Sequence, residues 1–175
     1  MKKLTGILIG SLFAVSAVMA GENSAVPPQP KPSAEFVRVQ GLVGKWEGTS
    51  KHGNGTEEKT TVEYHTSSGG SAVVETIFAG TPHEMVSVYF DQNGKLEITH
   101  YCMLGNRPTL GLESADASHL TLGSTAETKS ALSGQMYMNS LVLDQPSKDE
   151  LVQTWGGVGA DGKPSDKTVI SLKRV

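Results

Sequence analysis

The stretch Val86–Cys102, "VSVYFDQNGKLEITHYC", decides how this chain is read. On both sides of Asn93-Gly94 the residues alternate with a period of two and are rich in Val, Ile, Tyr and Phe, the signature of a β-strand. Asn-Gly between two such runs marks a hairpin, because both residues tolerate positive φ. A three-residue loop of Gln92, Asn93 and Gly94 pairs Asp91 with Lys95 and sets Val86, Val88 and Phe90 on one face with Leu96, Ile98, His100 and Cys102. A two-residue turn would put those apolar sets on opposite faces. A slip of one residue turns a whole strand over, so the matching of apolar faces selects the longer loop. On that register Val88, Phe90, His100 and Cys102 line a common interior, and Thr99 and Tyr101 face outward.

Short alternating or apolar runs like these recur every 8 to 12 residues from Lys45 onward. They predict about ten strands, over 45–50, 58–66, 71–79, 84–91, 95–103, 109–114, 119–124, 135–144, 150–157 and 167–174. The intervening "HGNG", "SSGG", "QNG", "DAS", "QPSKD" and "ADGKPSD" are clusters of residues that accept turn dihedrals. Connections this short make successive strands antiparallel neighbours. An open meander leaves two unpaired edges, and closing it removes them. The expected fold is therefore all-β, a single up-and-down antiparallel β-barrel over 33–175 with an interior cavity.

The N-terminal segment reads differently. "MKKLTGILIGSLFAVSAVMA", 1–20, has two lysines, an apolar run and small residues before Gly21, the pattern of a cleaved secretory signal peptide. That implies a periplasmic or secreted protein. The apolar run is too short to span a bilayer, which needs roughly 20 residues. "GENSAVPPQPKP", 21–32, is proline-rich and polar and reads as a flexible tether. Ser33 then suits the cap of a short helix that places Phe36, Val39, Leu42 and Val43 on one face and stops at Gly44. The chain of 175 residues carries 15 Lys and Arg against 18 Asp and Glu. Without clustered basic residues it is a poor partner for nucleic acid. Cys102 is its one cysteine, so no internal disulfide is available.

Gly44, Lys45 and Trp46, at the start of the first strand and directly after the helix, resemble the Gly-x-Trp opening of the lipocalin and fatty-acid-binding superfamily. The longer "LVGKWEG", 42–48, is similar to the nitrobindin-like branch of small ten-stranded barrels. The resemblance implies a small apolar or amphipathic ligand in the cavity, and structural roles for Gly44, Trp46 and a late basic residue, Arg174 or Lys173, stacked on that tryptophan. The nitrobindin-like branch implies haem held by a histidine near the C-terminus. "DKTVISLKRV", 166–175, contains none, so only His100 is left to take that role. The segment "THYCMLGNRP", 99–108, resembles a motif of exported bacterial proteins of this barrel type.

An inward His100 and Cys102, two apart on a strand, can serve as metal ligands, as haem ligands, or as a nucleophile with its base. Each chemistry lacks partners in the sequence, since only His65 and His83 are available and neither has a recommending spacing. The alternative is cavity lining, with Cys102 a small hydrophobe and His100 hydrogen-bonded. Arg107, in the turn "GNRP", is either a solvated loop residue or one that forks onto an anionic group at the barrel mouth. Trp46 and Trp155 are expected in the core, Met136 and Met138 on one face, and Glu75 on the solvent face. No paired carboxylates, phosphate-cradling loop or serine elbow is present, so no catalytic or metal residues are assigned and no cofactor is expected. The leading expectation is an exported barrel that binds a small, mainly apolar molecule through His100, Cys102, Arg107, Val88 and Phe90. The alternatives are a haem protein and a side-chain-filled barrel that binds another protein.

Overall fold

The computed structural model describes residues 30–175. The expected signal peptide and most of the expected tether lie outside the described residues. Ten strands form one closed, wholly antiparallel barrel in which each strand pairs with its sequence neighbours and the last pairs with the first. A helix, α1 (Ala34–Gln40), precedes β1 (Gly44–Lys51), β2 (Glu57–Ser67), β3 (Ala72–Ile77), β4 (Met85–Gln92), β5 (Lys95–Tyr101), β6 (Thr109–Ala115) and β7 (His119–Ser124). A second helix, α2 (Ala126–Ala131), leads into β8 (Tyr137–Ser147), β9 (Glu150–Val158) and β10 (Pro164–Arg174). Every expected strand is present, with ends shifted by at most three residues. Among the described residues no helix is long and apolar enough to cross a membrane.

Helix α1 forms because Ser33 caps it, its hydroxyl accepting from the Phe36 amide at 3.0 Å. Seven residues cannot sustain a helix alone. It is held by the burial of Phe36 and Val39, with Leu42 just beyond it, each worth roughly 1.5–3 kcal/mol when fully buried. Polar ties bind the helix to the loops at one end of the barrel. Asp91 accepts from the Ser33 amide at 2.6 Å and from its hydroxyl at 2.7 Å. Arg38 donates to the Asp116 carbonyl at 2.7 Å, and Gln40 to the Gly70 carbonyl at 3.0 Å. The helix is a cork, and the opposite end is left to the loops after β1, β3, β5, β7 and β9.

The Gly-x-Trp opening sits beside the cork. Trp46 is buried and donates its indole N–H to the Leu42 carbonyl at 2.8 Å. The Arg174 guanidinium lies 4.2 Å from the centre of the indole ring and donates to the Val43 and Gly41 carbonyls, both at 2.8 Å. A cation so placed contributes about 0.5–2 kcal/mol. Gly44 has φ 134°, and a Cβ there would come within 3.0 Å of the same guanidinium, which accounts for glycine at this position.

Two elements of the fold differ from the sequence reading. The first is the β4–β5 hairpin, which closes through the two-residue turn Asn93-Gly94 with φ 54° and 77°, so that Gln92 pairs with Lys95 and Tyr89 with Ile98. Both central residues at positive φ give the turn whose twist matches paired strands. Ser87 and Tyr89 therefore point inward with Leu96, Ile98 and His100, and Val88 and Phe90 point outward. The apolar count misled because the interior side chains of β4 are polar and find partners inside. The second is α2, which was not expected. Thr125 caps it with Glu127 in the first turn, and the Thr128 hydroxyl accepts from the Thr109 amide at 2.9 Å and donates to the Thr109 carbonyl at 3.0 Å, fixing the helix to the outside of β6.

Candidate functional site

At the end away from α1 the interior opens into a cavity of about 220 Å³. Its walls are apolar, with Ile77, Phe78, Met85, Met138, Trp155 and Ile170. Met138 reaches it through a bulge in β8 between Met138 and Ser140, and Phe78 is held at φ 58°, a rare backbone state for a bulky residue. The rim is made by the loops after β1, β3 and β5, which bring His52, His83, Met103 and Leu104 to the opening. His52 is not free there: its Nε2 lies 2.9 Å from Glu58 Oε1 and its Nδ1 3.3 Å from Thr168 Oγ1.

His100 is the buried polar residue of the cavity, whose lining also includes His52, Glu58, His83 and Thr168. It is 1 % exposed. Its Nδ1 lies 3.0 Å from the Ser87 hydroxyl, and its ring meets Trp155 at 4.6 Å between centres. Nε2 is buried and has no hydrogen-bond partner in the protein. Burial lowers the imidazole pKa from 6.5 to about 4, so the ring is neutral at pH 7. An unpaired buried nitrogen costs roughly 1–3 kcal/mol, a cost that a ligand with a complementary polar group would remove.

The cavity rests on a polar network that the sequence reading missed. Glu75 is fully buried, not on the solvent face. Its Oε1 accepts from the Tyr64 hydroxyl at 2.5 Å and from Gln153 Nε2 at 2.5 Å, and its Oε2 accepts from the Tyr89 hydroxyl at 3.0 Å. The Trp155 indole N–H donates to Gln153 Oε1 at 3.0 Å, tying the network to the cavity wall. Burial raises the Glu75 carboxyl above its usual 4.5 and the donors around it pull the other way. Burial, then the Glu75 charge, raises both tyrosines well above 10. The signal was present in the alternation: Glu75 lies in register with Val73 and Ile77, Tyr64 with Val62, and Gln153 with Leu151 and Trp155, all buried.

The remaining expected site residues separate. Cys102 lies just past the end of β5, half-buried, and lines the same cavity as His100. Val88 and Phe90 are on the outer wall. Arg107 is exposed and lines an outer groove between β5 and α2 with Tyr101 and Glu127, away from His100. Met136 is exposed outside the cavity, whereas Met138 lines it. Among the described residues no group of three or more His, Cys, Asp or Glu is arranged to hold a metal ion.

No known family matches the sequence, and no curated protein is similar to it. Among solved structures, a protein of unknown function of the DUF3598 family from Nostoc punctiforme is similar in fold, with TM-score 0.52 and 12 % identity. The match covers 86 % of this chain and 54 % of that one, so the chain spans about half the length of this relative. EF1p2_mFAP2b bound to DFHBI matches with TM-score 0.40 and 13 % identity over 78 % of this chain and 96 % of that one. These likenesses concern the barrel alone.

Proposed function

We propose that this chain is an exported barrel that binds one small, mainly apolar molecule in the cavity beneath the mouth, with His100 as its polar anchor. The observation that carries this reading is the unpartnered, buried Nε2 of His100 in an apolar cavity of about 220 Å³. Ligand sites have this character, apolar walls with a few convergent polar groups. The size limits the occupant. An apolar cavity of about 150 Å³ holds benzene, and drug-sized ligands need about 300 Å³ or more. One substituted ring, or an aliphatic molecule of similar bulk, fits here. Export is supported by the leader-like pattern of 1–20.

The same dimensions bear on the other readings. His100 offers one imidazole nitrogen, yet a porphyrin is larger than the cavity of about 220 Å³, so these residues do not fit haem. A barrel filled by its own side chains would leave no such space. Cys102 shares the cavity wall with His100 as a lining residue. Native mass spectrometry of the protein purified from its own cells tests the reading. The expected result is an added mass that leaves on denaturation and is absent from His100→Leu. A bare chain that also takes up no small aromatic compound in solution would refute it.

A further inference from the structure

We propose that the cavity at the open end also takes one soft monovalent metal ion of the copper(I) class, held by His100 Nε2, the Cys102 thiolate and the methionine thioethers around them. The proposal goes beyond the apolar-ligand reading and does not rest on it, since an ion needs no organic occupant. Sulfur is gathered at this place. The chain has 6 Met and 1 Cys, of which Met1 and Met19 lie outside the described residues. Of the others, Met85, Cys102, Met103 and Met138 line this one cavity, and Met136 does not. Methionine is an ordinary filler of apolar cavities, which accounts for Met85 and Met138. It does not account for the chain's one thiol sharing the cavity with a bare imidazole nitrogen.

His100 is set as a metal ligand is set. A ligating imidazole has its second ring nitrogen held by a hydrogen bond, which fixes the orientation of the ring. In His100 that nitrogen is Nδ1, 3.0 Å from Ser87 Oγ, and the ring is steadied by Trp155 at 4.6 Å between centres. Nε2 is left buried and without a partner. With Nδ1–H donated to Ser87, its lone pair is free for an ion. The ring is neutral at pH 7, the form in which imidazole ligates. Cys102 comes from the turn that follows β5: its N–H donates to the Asn106 carbonyl at 3.0 Å, and its carbonyl accepts from the Gly105 N–H at 2.9 Å. The same turn carries Met103 onto the rim, where it is 58 % exposed and is met first by an entering ion.

The donors choose the metal. Thiolates and thioethers select copper(I), whereas calcium, magnesium and manganese prefer carboxylates, carbonyls and water. Zinc takes about four nitrogen, sulfur or oxygen ligands, and among the described residues no group of three or more His, Cys, Asp or Glu is arranged to supply them. One imidazole, one thiolate and thioethers on flexible stems suit the soft ion instead.

A lone thiol also captures copper(I), so the test reads the other donors. Copper(I), kept reduced in oxygen-free buffer, is shared between the full chain and a coloured copper(I) chelator, and its affinity is measured for wild type and variants. One ion per chain is expected. His100→Gln, which removes a ligand, Met138→Leu, which keeps the bulk of the wall, and Ser87→Ala, which frees the ring, should each weaken it about tenfold or more. Met136→Leu should hold it as tightly as wild type. In nitrogen-15 NMR the ion should move the His100 Nε2 signal and leave Nδ1 protonated, and zinc(II) should leave both in place. Equal affinity in wild type, His100→Gln and Met138→Leu, or an unmoved Nε2 signal, would mean capture by the thiol only and overturn the proposal. If benzene enters the cavity but copper(I) is held no more tightly than by the unfolded chain, the ligand reading stands and the metal site falls.

Discussion

His100 carries a cost that acid conditions expose. Its pKa in the fold is about 4 against 6.5 in an unfolded chain, so between those values the unfolded state binds more protons and stability falls as pH is lowered. The full difference is on the order of 3 kcal/mol. Glu75 acts with the opposite sign: its raised pKa lets the folded state take up a proton first, which adds stability as pH falls through its own range. The histidine contribution is therefore read as the difference between two proteins. Wild type and His100→Gln, compared by denaturant unfolding from pH 7 to 4, should differ in slope, with the variant losing less stability on acidification. Parallel profiles would mean that the ring is protonated in the fold or is not buried. The inward position of this residue was legible in the sequence, because "LEITH" places His100 in step with Leu96 and Ile98. The same alternation marks Glu75. What was not legible is that its three donors come from Tyr64, Tyr89 and Gln153, the last 78 residues away, and without them a buried carboxylate is too costly to expect.

At the scale of elements, the β4–β5 hairpin shows how a hydrophobic count fails. Counting favoured Val86, Val88 and Phe90 as the inner row, and the turn chemistry of Asn-Gly favoured the opposite. The turn prevailed because Ser87 and Tyr89 recover inside what they lose from water: one bonds His100 and the other Glu75. Phe90 meanwhile lies on the outer groove beside α2, partly sheltered by a helix the alternation did not predict. Six residues give α2 too short a period to stand out from a loop. The inverted row has a direct consequence for mutation. Val88→Thr, on the outside, should cost less than about 1 kcal/mol, whereas Tyr89→Phe leaves Glu75 Oε2 without its hydroxyl and should cost about 1–3 kcal/mol. Chemical denaturation of the two variants checks this, and the reverse order would restore the three-residue loop.

Across the whole molecule the two ends of the barrel are unlike. One is stoppered by α1, with Trp46 and Arg174 beneath it and polar ties from Ser33, Arg38 and Gln40. The other narrows to a cavity rimmed by loops that carry exposed Met103 and Leu104. The turn clusters and the closing of sheet edges were enough to expect a ten-stranded barrel, and Ser33 with the apolar face behind it was enough to expect a short helix before the first strand, though not that it stoppers one end. Which end stays open depends on side chains from the β3, β4, β5, β8, β9 and β10 strands meeting in space, and no single stretch contains that information. The methionines report on it. Met85, Met103 and Met138 line the cavity, and Met136 lies outside it. The most direct test is a titration of the carbon-13 methyl-methionine-labelled protein with benzene, followed by NMR. The Met85, Met103 and Met138 signals should move together along one binding curve while Met136 stays still; no movement, or movement of Met136 alone, would contradict a ligand cavity at this end of the barrel.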